Sequence, residues 1–247
     1  MSDKRRRRSR GFSAVALSIA TINRRRIARA TWMLSAILVG LGLVEQFLQR
    51  VPEAKVIATI FSVFNLDAEN AVPAWYSAML MAGSAALILV VAAALRDIDP
   101  LNSHRWRVLA YIFFFLSIDE AISIHERMTV PLREAFGFSG VLYYSWVVVA
   151  APLLVGGVHY FFPLVKQLVP QVRRRVIAAG AMYLIGAVGL ELAAGYILTN
   201  NLGNDIFAIA FVAEESLEIF GLTLFVSALV LQLALFTPRV TFRIVDQ

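Results

Sequence analysis

Eight acidic residues stand inside long apolar stretches of this sequence, where a charge is expensive. An ionised carboxylate at the centre of a bilayer costs about 2.5–3.5 kcal/mol. The residues are Glu45, Asp119, Glu120, Glu126, Glu191, Glu214, Glu215 and Glu218. No Lys or Arg lies near the middle of these stretches, so protonation, a bound cation or water in a cavity must compensate the charge.

Binding of a hard or borderline cation is the chemistry that such a set of acids favours. Oxygen ligands suit Mg²⁺, Ca²⁺ and Mn²⁺, and an added imidazole moves the preference toward Fe, Mn or Zn. The candidate ligands are Asp119, Glu191, Glu214 and Glu218, with Glu120, Glu215, His125 and Glu126 as further ligands or neighbours. The sequence predicts a divalent-metal site among them and leaves the metal and the number of ions open.

Helical spacing supports part of this set. At about 100° per residue, Glu214 and Glu218 lie about 40° apart on one helix face. On a continuous helix, Asp119, Ser123 and Glu126 form a second inward stripe. The same geometry puts His125 about 120° from Asp119, so the imidazole joins this stripe only if a helix ends nearby.

Known metal motifs do not match the spacing. His125 follows Glu120 by five residues instead of the three of a dimetal Glu-x-x-His motif. Position 129 is Thr, so His125-Glu126 does not begin a His-Glu-x-x-His zinc motif.

Composition identifies the elements that must carry these acids. The 247 residues are 59% hydrophobic and 16% charged, against roughly 45–50% and about 25% in soluble domains. Stretches of about 20 apolar residues can cross a bilayer, and six occur: 30–49, 74–95, 106–126, 139–162, 174–198 and 206–236. We predict an all-α polytopic membrane bundle of about six helices. The absence of Cys excludes disulfides, zinc–thiolate sites and Cys nucleophiles.

The distribution of Lys and Arg predicts the orientation. Most of the 23 basic residues fall in the N-terminal arm and in the connections on the same side, and basic residues stay cytoplasmic. The opposite connections carry Arg50, Lys55, Arg127 and Arg133. We therefore expect both termini in the cytoplasm and the acids in the outer half of a bacterial inner membrane.

The regions around the bundle have simpler interpretations. The basic arm, residues 1–29, is expected to bind anionic lipid head groups rather than nucleic acid, and the tail, 237–247, is expected in the cytoplasm. Residues 54–65 are predicted to form a helix resting on the outer leaflet. The loop with Asp67, Glu69 and Asn70 either caps the acids or is a solvated turn.

Two further groups are expected at the membrane interface. Glu45 lies in the outer third of the first apolar stretch and is expected near the head groups. The aromatic residues near span ends are interpreted as interfacial anchors: Trp32, Trp75, Trp106, Tyr143, Tyr144 and Trp146.

Three short segments resemble a known group of sequences. They are Asn65 to Ser77 (NLDAENAVPAWYS), Leu116 to Glu126 (LSIDEAISIHE) and Glu214 to Gly221 (EESLEIFG). Together they resemble uncharacterised bacterial multi-pass membrane proteins. The resemblance implies a six-helix membrane fold with the acids as shared features, and it implies no activity.

Three functions are compatible with these observations. The first is a metal-dependent enzyme that acts on a lipid or a periplasmic substrate. The second is a transporter in which the acids carry protons or cations. The third is a structural subunit whose acids pair with a membrane-protein partner. Whether the protein is an enzyme stays open from the sequence alone.

Overall fold

The computed structural model describes residues 23–236, and within them the chain is helical and contains no strand. The tail at 237–247 and most of the basic arm lie outside the described residues. The helices are α1 (Arg24–Leu48), α2 (Lys55–Phe61), α3 (Val72–Leu95), α4 (Pro100–Ile122), α5 (Ile124–Phe136), α6 (Val147–Gln167), α7 (Pro170–Leu184), α8 (Glu191–Thr199) and α9 (Asn204–Phe236). A π-helical turn, Ile185–Leu190, joins α7 to α8.

Five helical units are long and apolar enough to cross a membrane: α1, α3, α6, α9 and the continuous unit Pro170–Thr199. The pair α4 and α5 becomes a sixth if its two helices count as one broken span. The prediction of a helical multi-pass membrane protein is confirmed, with five or six spans. The orientation of the termini stays a prediction.

The last helix is the centre of the bundle. In α9, 67% of an 18-residue apolar segment is buried inside the protein, the largest share among the five spanning units. One apolar cluster joins Ile88 and Trp106 to Leu229, and a second joins Met81 to Ile219. Trp106 is only 2% exposed, so its predicted role as an interfacial anchor is wrong: it packs inside the bundle.

The predicted continuous helix over 106–126 is wrong, because the chain breaks at Ser123. Ser123 adopts the left-handed region at φ 55° and ψ 50°, and its N–H donates to the Asp119 carbonyl at 2.7 Å. α5 then leaves α4 at 75°. The expected stripe of Asp119, Ser123 and Glu126 therefore does not exist on a single helix.

The segment after α1 folds back against α1. The short helix α2 lies inside the predicted 54–65, between single 3₁₀ turns at Pro52–Ala54 and Ser62–Phe64. Leu66 is 2% exposed and packs on Gly42, where an added Cβ would lie 2.5 Å from the Leu66 Cγ. Gly42 lies six residues, or about 9 Å, before the end of α1. This contact holds the following loop, residues 65–71, below the end of α1.

A candidate acid-lined site around His125

The break at Ser123 brings His125 back onto Asp119. The imidazole Nδ1 lies 2.9 Å from Asp119 Oδ2, and the His125 backbone N–H donates to Asp119 Oδ1 at 2.9 Å. One carboxylate thus bonds both the ring and the main chain of the first turn of α5. Because Nδ1 is engaged, Nε2 is the ring nitrogen left for another partner.

Acids from several elements interact electrostatically with this imidazole. Four carboxylates lie within electrostatic range of His125: Glu69, Glu120, Glu191 and Glu214. They come from the loop at 65–71, α4, α8 and α9. Across the described part of the chain, none of these four side chains forms an ion pair with Lys or Arg. His125 is thus the basic group that they share.

A π-helical turn positions Glu191. The turn ends at Leu190, Glu191 is the next residue, and π-bulges inside helices are frequent at functional sites. Glu191 is 7% exposed. The Trp146 indole lies beside it and meets the His125 ring edge-on, with 5.1 Å between the ring centroids. Among the described residues, the buried Trp146 Nε1 has no hydrogen-bond partner.

A close approach between the π turn and α9 sets the position of the α9 acids. A Cβ added at Gly186 would lie 2.8 Å from the Glu214 carbonyl oxygen and 3.0 Å from the Glu218 Cγ. Glu218 is 9% exposed, and Tyr183 lies beside it. Glu215 is an electrostatic neighbour of Glu218.

Glu120 connects the two helices that carry most of the acids. Its carboxylate is an electrostatic neighbour of Asp119 on α4 and of Glu215 and Glu218 on α9. The acids of α4 and α9 therefore belong to one region.

The loop at 65–71 joins the same region. Asp67 is exposed, but partial withdrawal of its carboxyl group from water and the nearby carboxylates of Glu126 and Glu45 raise its pKa to about 6. Burial and Glu126 also raise the pKa of Glu69, whose Oε2 is buried without a hydrogen-bond partner among the described residues. The position of Glu69, an electrostatic neighbour of Glu120 and Asp119, favours a loop that covers the acids over an isolated solvated turn, whereas Asp67 and Asn70 are exposed.

Other nearby groups differ from expectation. Glu45 is fully buried and accepts a hydrogen bond from Gln49 Nε2 at 2.9 Å, so it packs inside the protein; its expected depth near the head groups stays a prediction. Burial and the Glu191 carboxylate raise the pKa of Tyr144, whose hydroxyl therefore stays a donor. Glu126 lies at the start of α5 and is exposed.

Metal coordination makes a stricter geometric demand than electrostatic proximity. In the described residues, no group of three His, Asp or Glu side chains is placed to hold one metal ion. A divalent-metal site of Asp119, Glu120, His125, Glu126, Glu191, Glu214, Glu215 and Glu218 therefore stays a prediction. The arrangement as it stands can share protons, attract a cation and present an imidazole held by a carboxylate.

Sequence patterns do not identify three aromatic side chains at the site. Trp146 and Tyr144 are predicted to be interfacial anchors, and no pattern marks Tyr183. No spacing rule links them to the acids, because their contacts depend on the bend at Ser123 and on the packing of α7 against α9. Their N–H and O–H groups are the donors that a region of carboxylates otherwise lacks.

Comparison with known proteins gives one family. Searches of curated proteins and of solved structures give no match. The family model described as "Domain of unknown function (DUF8692)" matches residues 30–233, which include every acid discussed above. The chain belongs to this family.

Proposed function

We propose that the acid-lined region binds a divalent metal ion and that the metal-bound protein acts on a lipid or a periplasmic substrate. The observation that carries the proposal is the gathering of carboxylates from four elements around His125, with no Lys or Arg paired to these carboxylates in the described residues. Several carboxylates that share one imidazole leave an excess of negative charge. A divalent cation would offset that charge at a depth where water is scarce.

The donor set fits a hard cation better than a soft one. It consists of carboxylate oxygens and one imidazole, which suits Mg²⁺, Mn²⁺, Fe or Zn. The nearest candidates are Asp119 and His125, which are already bonded, and Glu191 and Glu214. Since no three of the described ligands converge on one point, binding requires carboxylate side chains to change rotamer. A bound metal would supply Lewis-acid activation of water or of a substrate oxygen.

The groups around the acids would position a substrate. Trp146 Nε1 is a buried donor beside the Glu191 carboxylate, and Tyr144 carries a protonated hydroxyl beside Glu191. Both would bind an oxygen acceptor such as a phosphate, ester or hydroxyl group. His125, held through Nδ1 by Asp119, would accept or donate a proton at Nε2.

Metal-induced stabilisation tests the proposal. Full-length protein in detergent is freed of metal with a chelator, and its melting temperature is measured with Mg²⁺, Mn²⁺, Fe²⁺, Zn²⁺ and Ca²⁺ added singly. We expect at least one ion to raise the melting temperature of the wild type by several degrees. The increase should vanish in the double variant Asp119→Asn, Glu218→Gln and persist in the control Asp97→Asn, an exposed acid between α3 and α4. No shift with any ion would contradict the proposal.

A proton-coupled transporter is the second candidate, and one observation favours it. Three buried hydroxyls join α1, α3 and α9: Ser35 Oγ lies 2.9 Å from Tyr76 Oη and 2.6 Å from Thr223 Oγ1. Thr223 follows Glu218 by five residues, about 7.5 Å further along α9. Polar groups therefore extend beyond the acids. In proteoliposomes, transport that ignores a pH gradient would exclude this candidate.

Topology and location form part of the proposal. We place both termini in the cytoplasm and the protein in the inner membrane of a bacterium, among relatives that share the three motifs. Because the chain has no Cys, a single introduced Cys is a unique label. An impermeant maleimide added to intact cells should label Asn200→Cys and leave Asp97→Cys unlabelled; the reverse result would invert the topology.

A structural subunit is the remaining alternative. It predicts a membrane complex that co-purifies with the chain and that weakens when the acids are neutralised. Isolation of a stable, metal-binding single chain would exclude it.

A further inference from the structure

A groove opens at the surface between α1 and α9. Its volume is about 330 Å³, at the lower end of the roughly 300–1,000 Å³ typical of ligand pockets. The lining residues are Leu43, Gln46, Phe47, Arg50, Ala208, Ile209, Val212, Ala213 and Ser216. On α1 the lining runs from Leu43 to Phe47, about 6 Å along the helix axis, and Arg50 extends it beyond the end of α1.

The inside of the groove is suited to hydrocarbon. Most of its lining is aliphatic or aromatic, and the polar side chains in it already have partners. Ser216 Oγ donates to the Val212 carbonyl at 2.6 Å, and Gln46 Nε2 donates to Glu45 at 3.4 Å. An occupant therefore meets mainly apolar atoms along the walls.

The mouth of the groove carries a cation. Arg50 lies just after the end of α1, and its Nη2 pairs with Asp205 Oδ1, in the first turn of α9, at 3.3 Å. Both side chains are exposed, at 52% and 88%, so the pair is weak and open to competition. A guanidinium has five donors in a planar fork that matches a phosphate group. The Asp205 carboxylate marks a position that another anion can take.

The groove and the acids Glu214 and Glu218 lie on different faces of α9. At about 100° per residue, Val212 and Ser216 lie on one face of α9, and Glu214 and Glu218 lie on nearly the opposite face. On α1, Glu45 likewise lies away from Leu43 and Phe47. The lipid proposal therefore rests on the residues that line the groove and does not require the proposed metal function.

We propose that this groove holds one phospholipid of the surrounding leaflet. Its phosphodiester binds Arg50 in place of Asp205, and one acyl chain lies between α1 and α9 down to Ser216. The combination of an apolar channel parallel to the helices with a guanidinium at one end matches an acyl chain with a phosphodiester at its head. The phosphodiester is the recognised group, so the head group beyond it contributes less.

Native mass spectrometry of the delipidated full chain in detergent tests the proposal. Phosphatidylglycerol and a diacylglycerol with the same acyl chains are titrated separately. We expect one phosphatidylglycerol per chain, bound at least ten times more tightly than the diacylglycerol. Arg50→Ala should remove this preference, whereas Lys55→Ala, an exposed neighbouring cation outside the groove, should retain it.

Two further variants separate the head-group contact from the channel. Asp205→Asn frees Arg50 and should tighten phosphatidylglycerol binding about two- to fivefold. Ala213→Trp fills the channel and should abolish binding of both lipids, with an unchanged melting temperature as the check on folding. The proposal is overturned if Arg50→Ala binds phosphatidylglycerol as the wild type does. It is also overturned if the wild type forms a dimer that Ala213→Trp dissociates, since the groove would then be an interface between two copies.

Discussion

The imidazole of His125 is held by the carboxylate of Asp119 across a break in the helix, with 2.9 Å between Nδ1 and Oδ2. The same carboxylate accepts the His125 backbone N–H, also at 2.9 Å. Asp119 thus stabilises the start of α5 and orients the ring at once. His125 comes six residues after Asp119, and a continuous helix would keep the two side chains apart. The break at Ser123 brings them together.

Removal of the Asp119 carboxylate should destabilise the fold. Asp119→Ala leaves the His125 N–H groups without their acceptor, which typically costs about 1–3 kcal/mol for a buried donor. Asp119→Asn keeps one acceptor oxygen and should cost less. The free energy of unfolding in mixed micelles measures both, and equal values for Asp119→Ala and the wild type would contradict the structural role.

The left-handed conformation of Ser123 gives a second prediction. Gly adopts positive φ at little cost, whereas a β-branched residue is strained there. Ser123→Gly should change stability by less than about 1 kcal/mol, and Ser123→Val should lower it by about 1–3 kcal/mol. If the segment were one continuous helix, the order would reverse, because Val is the better helix former. Thermal unfolding of the two variants distinguishes the alternatives.

Close packing at Gly186 gives a third prediction. Gly186→Ala adds a Cβ that would lie 2.8 Å from a backbone oxygen of α9, which cannot move easily, so we expect a loss of about 1–3 kcal/mol. Gly180 is the matched control, since it lies in the same helical unit and a Cβ there meets nothing within 4 Å. Gly180→Ala should be neutral or stabilise by about 0.4–1 kcal/mol. Similar losses in both variants would show that the close approach to α9 is not the cause.

The pKa of Asp67, raised to about 6, predicts how stability depends on pH. Between the ordinary value of 3.8 and about 6, the folded protein holds a proton that the unfolded chain has released. The free energy of unfolding should therefore fall as the pH rises through this window, and the loss is complete above about pH 6. Glu69, whose pKa is also raised, acts in the same direction.

Neutralisation of Asp67 tests whether the free energy of unfolding falls or rises with pH. Asp67→Asn should be more stable than the wild type at pH 7.5 and comparable to it below pH 4. The control Asp97→Asn alters an exposed acid between α3 and α4 and should leave the wild-type slope unchanged. A wild type that grows more stable as the pH rises from 4 to 7 would contradict the placement of Asp67 beside Glu126 and Glu45.

Sequence patterns located most of the spans because hydrophobic length is a local property, but the predicted 106–126 breaks at Ser123 and the predicted 139–162 becomes α-helical only at Val147. Runs of about 20 apolar residues identify a spanning helix whatever their neighbours are. The short helix α2 followed in the same way from its periodic apolar residues. A shared site of the acids is predicted from their common depth and from helix faces, and it stays a prediction.

Features that depend on tertiary contacts were missed. Nothing at Ser123 marks a break, since neither Gly nor Pro stands there and the bend depends on Asp119 accepting the His125 N–H. The burial of Glu45 and the position of Asp67 depend on Leu66 packing on Gly42, two residues far apart in sequence. Trp146 has the composition of an interfacial anchor, and only the bend places its indole beside His125.

Elemental analysis of freshly purified protein tests the central claim most directly. The full-length wild type, extracted in detergent without chelator, should retain close to one divalent metal ion per chain. The double variant Asp119→Asn, Glu218→Gln should retain none, while Asp205→Asn should match the wild type. A wild type that carries no metal when isolated, and takes up none from millimolar Mn²⁺, Zn²⁺, Fe²⁺ or Mg²⁺, would contradict a metal-binding function for these acids.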